Sequence, residues 1–87
     1  WMLSLGIDGG SSSAKWTLID QSGAIKSKGS SNPIDGHLYR VESQEKMEKF
    51  LLELRQELGN LNPDHITIGI TGLGSAEKIE EYLSLHL

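Results

Sequence analysis

A short run of glycine and serine residues follows an acidic residue near the start of the chain. Asp8 is followed by Gly9 and Gly10, and then by Ser11 and Ser12. Glycines allow a tight turn whose backbone N–H groups face an anion, and serine hydroxyls add further donors. A carboxylate is repelled by phosphate oxygens, but it can accept hydrogen bonds from the waters of a Mg²⁺ ion that bridges them. This order of residue types therefore favours binding of phosphates together with magnesium.

The residues after the glycines indicate which kind of phosphate loop this is. A P-loop requires G-x-x-x-x-G-K-[ST] at the start of a helix, and that spacing is absent. A dinucleotide-binding fingerprint requires a helix directly after its glycines, whereas residues 14–20, AKWTLID, alternate in the manner of a strand. We therefore predict that the glycines lie in a β-hairpin turn, where Lys15 adds a cation if it faces the same side. The residues alone leave open a plain hairpin with solvated serines.

The elements that must position this hairpin follow from the periodicity of the chain. Alternation with a period of two predicts strands over Leu3–Asp8, Ala14–Asp20, Ala24–Lys28 and Ile66–Thr71. Apolar residues at helical spacing predict a helix between the third and fourth strands that stops at Gly59. The residues of that apolar stripe are Met47, Phe50, Leu51, Leu54 and Leu58. A crossover through this helix requires the fourth strand to lie parallel to the first, in a mixed sheet whose first three strands are antiparallel.

Three further features complete the predicted order, βββαβα. Residues 29–37, GSSNPIDGH, are a loop by composition. The glycine loop of residues 71–75, TGLGS, leads into a second, short helix with Ser75 as its N-cap.

Charged residues on the polar side of the first helix are spaced i, i+4. Glu42–Lys46, Glu45–Lys49 and Lys49–Glu53 are therefore predicted ion pairs.

Composition excludes several classes of function. The 87 residues contain no cysteine, so the chain offers no disulfide and no thiolate metal site. A formal charge of −4 argues against nucleic acid or an anionic membrane as the main partner. No apolar run approaches the ~20 residues of a membrane span, and the first residues lack the basic region of a signal peptide, so we expect a cytoplasmic protein. The three histidines form no i, i+4 pair, which disfavours a histidine metal site.

Residues 6–19, GIDGGSSSAKWTLI, resemble the first phosphate motif of the actin-like ATPase superfamily, which includes sugar kinases, actin and the heat-shock ATPases. The group that the chain resembles most is the BadF/BadG/BcrA/BcrD ATPase family. That family holds the N-acetylglucosamine kinases and the activators of 2-hydroxyacyl-CoA dehydratases. Residues 29–32, GSSN, and residues 69–75, GITGLGS, match further motifs in the same order. The resemblance implies that residues 1–87 are the N-terminal part of a ribonuclease H-like, actin-like α/β domain.

The resemblance also implies ATP and Mg²⁺ as cofactors. By this likeness, Asp8 would hold the metal through water, and Gly9, Gly10, Ser11 and Ser12 would wrap the β- and γ-phosphates. Many members carry threonine where Ser12 stands, which keeps the hydroxyl.

Lys15 would join the phosphate site, and it matches the dehydratase activators better than the animal amino-sugar kinases. Asn32 matches the asparagine that contacts the sugar in those kinases. Gly72, Gly74 and Ser75 would line the cleft near the substrate and the γ-phosphate. A turn asparagine before a proline, and a strand-to-helix turn that needs glycine, are the structural alternatives.

The implied activity is ATP-dependent phosphorylation of a sugar, in particular an amino sugar such as N-acetylglucosamine. The general base of the family would lie downstream, so we expect no catalytic residue in this chain and no turnover by the chain alone. The expected partner is a small-molecule sugar, and the parent protein could form a homodimer. The alternatives are an ATPase that activates a dehydratase and a truncated, non-catalytic domain that binds nucleotide or a protein partner.

Overall fold

The computed structural model describes residues 2–10, 12–70 and 76–87. The elements are β1 (Leu3–Gly9), β2 (Ala14–Asp20), β3 (Ile25–Ser31), α1 (Val41–Leu58), β4 (His65–Ile70) and α2 (Ala76–His86). The strands form one mixed sheet in the order β3-β2-β1-β4, with β1 antiparallel to β2, β2 antiparallel to β3, and β4 parallel to β1. The predicted order βββαβα and the predicted strand directions are confirmed.

The third strand runs further than its composition predicts. Ser30 pairs with Lys15 and Ser31 pairs with Ala14, so residues 29–31 belong to β3 and not to the loop that follows. Glycine and serine have low strand propensity, but the ladder partners on β2 override that preference. The strand therefore carries the chain to the same end of the sheet as the β1–β2 hairpin.

The helix α1 begins at Val41, one residue before the first predicted charge pair, and the glycine stop at its end is confirmed. Gly59 has a φ of 60° and donates its N–H to the carbonyls of Arg55 and Gln56. Neither α1 nor α2 is long and apolar enough to cross a membrane, as far as the described residues go.

One face of the sheet packs against α1 and forms the core. Leu5 and Leu18 face each other on neighbouring strands, and the rings of Trp16 and Phe50 meet edge to face at 6.2 Å. Burial of each such side chain contributes about 1.5–3 kcal/mol. The buried apolar residues are Leu3, Leu5, Ile7, Ala14, Trp16, Leu18, Ile34, Leu38, Met47, Phe50, Leu51, Leu54 and Leu58.

The second helix is less firmly anchored than the first. No residue of α2 is buried, and Ile79 and Leu83 are only half-buried against the core. An apolar groove of about 470 Å³ remains between α2 and the isoleucines of β4.

The segment between β3 and α1 is anchored by two buried side chains and by hydrogen bonds to one carboxylate. Ile34 and Leu38 are buried in the core. The Asp35 carboxylate accepts hydrogen bonds from the His37 N–H, at 2.9 Å, and from the Ser43 hydroxyl in the first turn of α1. Burial raises the pKa of Asp35, but these hydrogen bonds outweigh it and leave the pKa below its ordinary value of 3.8. The start of α1 is thus fixed relative to the end of β3.

The turn between β2 and β3 is built around one carboxylate. Asp20 Oδ1 accepts hydrogen bonds from the Ser22 hydroxyl at 2.6 Å, the Ser22 N–H at 2.9 Å and the Ala24 N–H at 3.1 Å. Gly23 takes a φ of 88°, which favours glycine. The Ser22 hydroxyl first, and then these amides and Lys26, lower the pKa of Asp20 to about 2, although burial acts in the opposite direction.

Gly29→Ala is expected to destabilise the chain by about 1–3 kcal/mol through overpacking. A Cβ at this position would lie 2.5 Å from Cζ2 and 2.6 Å from Cη2 of the buried Trp16 ring, which is too close for either to stay in place. That cost exceeds the roughly 0.5–1 kcal/mol that alanine gains over glycine in backbone entropy. Chemical denaturation measures the difference.

Gly69→Ala is the matched control, because no atom lies within 4 Å of its added Cβ. It should keep or slightly raise the free energy of unfolding. Equal stability of the two variants would contradict the close contact with Trp16.

Asp20→Asn should lower the free energy of unfolding at neutral pH and flatten its dependence on pH. Since the pKa of Asp20 lies below its ordinary value of 3.8, its contribution is present above pH 3.8 and is lost as the pH falls towards about 2. Denaturation curves from neutral to acidic pH test this, with Glu57→Gln on the exposed side of α1 as control. An unchanged acid slope in Asp20→Asn would show that another carboxylate sets it.

Candidate functional site

The β1–β2 hairpin is closed almost to its tip. The last ladder pair is Gly9 and Ala14, and the Gly10 N–H donates to the Ser13 carbonyl at 3.0 Å one step beyond it. Ser12 is exposed, and Ser11 lies outside the described residues. The predicted hairpin after β1 is therefore present, in place of the helix of a dinucleotide fold.

Gly9 has a packing role that the sequence does not predict. Neither Gly9 nor Gly10 has a positive φ, so backbone freedom at the turn is not the reason for them. Gly9 is a buried residue of β1, and a Cβ there would lie 3.0 Å from Cγ1 of Ile34 and 3.1 Å from Cγ1 of Ile70. Gly9 thus lets the segment after β3 and the end of β4 approach the hairpin.

The amide of Gly10 is engaged within the hairpin itself, because it donates to Ser13. The prediction that this N–H faces an anion does not fit that hydrogen bond. Donors for a ligand at this end come instead from the exposed side chains of Ser12 and Lys15.

Asp8 lies on the sheet face that α1 and α2 leave uncovered. Its register partner on β2 is Lys15 and its register partner on β4 is Gly69. Asp8 and Lys15 are both exposed and form no ion pair with each other within 4.0 Å. Since Gly69 has no side chain, the space on one side of the Asp8 carboxylate is open.

A shallow groove extends from Asp8 along the same face. The groove has a volume of about 400 Å³, and Asp8 and Lys15 line one part of it. The rest is lined by a row of residues across β2, β1 and β4, namely Thr17, Gly6 and Thr67. We call the outward positions Gly6, Asp8, Lys15, Thr17, Thr67 and Gly69 the open face. Hydroxyls, one carboxylate and one ammonium group are its only functional groups, and its glycines leave room for a ligand.

The donor set of the open face fits a magnesium ion held mainly by water and phosphate. Among the described residues, no group of three or more histidine, aspartate or glutamate side chains could hold a metal by itself. Mg²⁺ commonly keeps several waters and takes only one or two carboxylates besides the phosphates of a substrate. A single exposed carboxylate, Asp8, beside an open groove meets that requirement.

Asn32 follows β3 at the same end of the sheet as Asp8. Asp8 is level with Lys15 and Lys15 with Ser30, so two strand spacings, about 10 Å, separate β1 from β3 at this level. Asn32 is exposed and lines a cavity of about 280 Å³ between the end of β3 and α1. We call this the β3–α1 cavity; its lining residues are Ser31, Asn32, Pro33, Lys46, Lys49 and Phe50.

The remaining predicted site residues, Gly72, Gly74 and Ser75, lie outside the described residues, as does the predicted N-cap role of Ser75. β4 ends at Ile70, level with Gly9, and α2 begins at Ala76.

Sequence reasoning missed four members of the open face: Gly6, Thr17, Thr67 and Gly69. The signal for them was present in the alternation of the strands, because residues at even spacing from Asp8 and Lys15 share their face. The alternation does not give the register between the strands, which is what places these residues beside one another on β2, β1 and β4.

Comparison with known proteins shows the fold. No protein-family model matches the chain, and no curated protein is similar enough to match. A solved structure of the PPX-GPPA enzyme of Aquifex aeolicus matches 95% of this chain with a TM-score of 0.59 and 20% identity. This chain spans 31% of that chain, about a third of its length. The actin-like, ribonuclease H-like α/β fold predicted from the sequence is thereby confirmed.

Proposed function

We propose that this chain is the N-terminal, phosphate-binding part of an ATP-dependent sugar kinase of the BadF/BadG/BcrA/BcrD type, acting on an amino sugar such as N-acetylglucosamine. The resemblance of residues 6–19 to the first phosphate motif supports this proposal. The likeness to the PPX-GPPA enzyme supports an enzyme as the parent protein.

The observation that carries the proposal is the setting of Asp8. Its carboxylate lies at the hairpin end of the central strand, between Lys15 and the bare backbone of Gly69, on the uncovered face of the sheet. A purely structural hairpin would gain nothing from leaving an acid and a lysine side by side without an ion pair. A triphosphate with its metal would satisfy both groups.

In this proposal each residue has a limited role. Asp8 accepts hydrogen bonds from metal-bound waters, Lys15 attracts the phosphate oxygens, and the Ser12 hydroxyl donates to them. When bound, Mg²⁺ would neutralise charge on the β- and γ-phosphates. Asn32, one strand beyond Lys15, would hydrogen-bond the sugar and hold its hydroxyl near the γ-phosphate.

The second candidate is an ATPase that activates a dehydratase. Lys15 favours it, since this lysine faces the same side as Asp8 and matches that branch of the family. Such an activator would need cluster-ligating cysteines, and this chain has none, so they would have to come from elsewhere in the protein.

Nucleotide binding by the 87-residue chain gives the direct test. With millimolar Mg-ATP, amide-resolved NMR spectra should change at the open face and at Ser12, weakly and only with metal present. Asp8→Ala should remove the metal dependence, whereas Glu57→Ala, an exposed carboxylate on α1, should leave it intact. Changes confined to other surfaces, or none at all, would refute nucleotide binding at the hairpin.

In the full-length protein, Asp8→Ala should mainly lower kcat, by roughly 10²-fold or more, as removal of an electrostatic group does. The reason is that the charge neutralised through Asp8 develops during phosphoryl transfer. Steady-state kinetics with varied ATP and sugar make the measurement. A change in the KM for sugar alone would place Asp8 outside the phosphate site.

Asn32→Ala should mainly raise the KM for sugar, at a cost of about 1–3 kcal/mol if its partner groups on the sugar are left unpaired. The KM for ATP should change little. Asn60→Ala, an exposed asparagine after α1, is the control. If Asn32→Ala leaves every sugar KM unchanged, this asparagine is a turn residue and the amino-sugar assignment loses its local support.

A further inference from the structure

The lining of the β3–α1 cavity includes two positively charged side chains, which binding of a neutral sugar does not require. Its volume of about 280 Å³ is close to the lower end of ligand pockets, about 300 Å³. Phe50 gives it an apolar wall, and Asn32 and Ser31 add polar groups. The two remaining side chains, Lys46 and Lys49, are ammonium groups.

These two lysines are not neutralised in the way the sequence predicts. Lys46 and Lys49 are exposed and lie three residues apart on α1, so they share the face that borders the cavity. The predicted ion pairs with Glu42, Glu45 and Glu53 do not form within 4.0 Å in the described part of the chain. Their charges are therefore available at the cavity.

Two carboxylates near the cavity already have other partners. Glu53 Oε2 accepts a hydrogen bond from the Ser31 hydroxyl at 2.7 Å. Asp35 interacts electrostatically with Lys46, but its oxygens accept hydrogen bonds from Ser43 and from the His37 amide. No carboxylate is among the lining residues themselves. The cavity therefore presents two cations to a ligand, and the carboxylates of Glu53 and Asp35 accept hydrogen bonds from other groups.

We infer that the β3–α1 cavity binds the anionic group, phosphate or carboxylate, of a small acidic sugar, through Lys46 and Lys49. Asn32 hydrogen-bonds the neutral part of the same molecule, and Phe50 packs against its apolar face. This inference deepens the proposed function, since it rests on Asn32 lying in the site that binds the sugar. It replaces a neutral sugar such as N-acetylglucosamine with one that carries a phosphate or carboxylate group.

Four probes titrated into the 87-residue chain and followed by amide-resolved NMR test this inference: glucose, glucose 6-phosphate, glucuronate and inorganic phosphate. At least one of the two acidic sugars should bind about tenfold or more tightly than glucose, because charge-assisted hydrogen bonds are roughly twice as strong as neutral ones. Comparison of glucose 6-phosphate with glucuronate identifies phosphate or carboxylate as the preferred group. The affinity should fall as salt is raised, since the two lysines are exposed.

Lys46→Gln/Lys49→Gln should reduce the affinity for the acidic sugar to that for glucose. Both side chains are exposed, so the variant should fold, and thermal melting checks this. Lys78→Gln, at an exposed lysine on α2 that does not line the cavity, is the matched control and should bind as the unchanged chain does. Equal affinity for acidic and neutral sugars, including no binding by any of them, overturns the inference, as does acidic-sugar binding that survives loss of both lysines.

The same NMR titrations distinguish a failure of this inference from a failure of the proposed function. Asp8→Ala should leave acidic-sugar binding unchanged, and the double lysine variant should leave the Mg-ATP response at the open face unchanged. In the unsubstituted chain, absence of the Mg-ATP response with acidic-sugar binding present would refute the nucleotide site and support the anion site. Absence of acidic-sugar binding with the Mg-ATP response present would refute the anion site and leave the nucleotide site standing.

Discussion

The burial of one face of β1 in the core that it shares with α1 is the constraint on which the rest of the structure depends. Leu3, Leu5 and Ile7 of β1 lie in that core. Because side chains alternate along a strand, this burial directs Gly6 and Asp8 to the opposite side. A shift of one residue would bring Asp8 into the core, where an unpaired carboxylate is costly. Burial of these apolar side chains therefore keeps Asp8 of the candidate phosphate site on the exposed face of the sheet.

A second constraint joins the two candidate ligand sites. Gly9 leaves the space that Ile34 and Ile70 occupy. Ile34 belongs to the segment that follows Asn32, and Ile70 ends β4. The hairpin, the segment after Asn32 and the carboxyl end of β4 are thus packed around one glycine, which couples their positions.

The helix α1 serves both the core and the candidate acceptor site. Its buried stripe, which includes Phe50 and Leu54, packs on the sheet. Its neighbouring face carries Lys46 and Lys49 at the β3–α1 cavity. Phe50 takes part in both, since it contacts Trp16 in the core and walls the cavity. Glu53 of α1 accepts a hydrogen bond from Ser31 of β3, and Asp35 accepts one from Ser43 in the first turn of α1, so these two carboxylates help to secure β3 and the start of α1.

The sequence by itself determined the order of elements, the strand directions and the hairpin, because these follow from local periodicity and from the need for a crossover before a parallel strand. It also identified Asp8 and Lys15 as candidates from residue type, and Asn32 from the resemblance of residues 29–32 to a known motif. Only the tertiary structure decided that β3 includes Ser30 and Ser31, since their place in the ladder depends on partners on β2. It likewise decided the role of Gly9, which is set by side chains distant in sequence, Ile34 and Ile70. The i, i+4 spacing on α1 predicted ion pairs for Lys46 and Lys49. Whether such a lysine contacts a glutamate or lines a cavity depends on what packs beside the helix. No local sequence pattern contains that information.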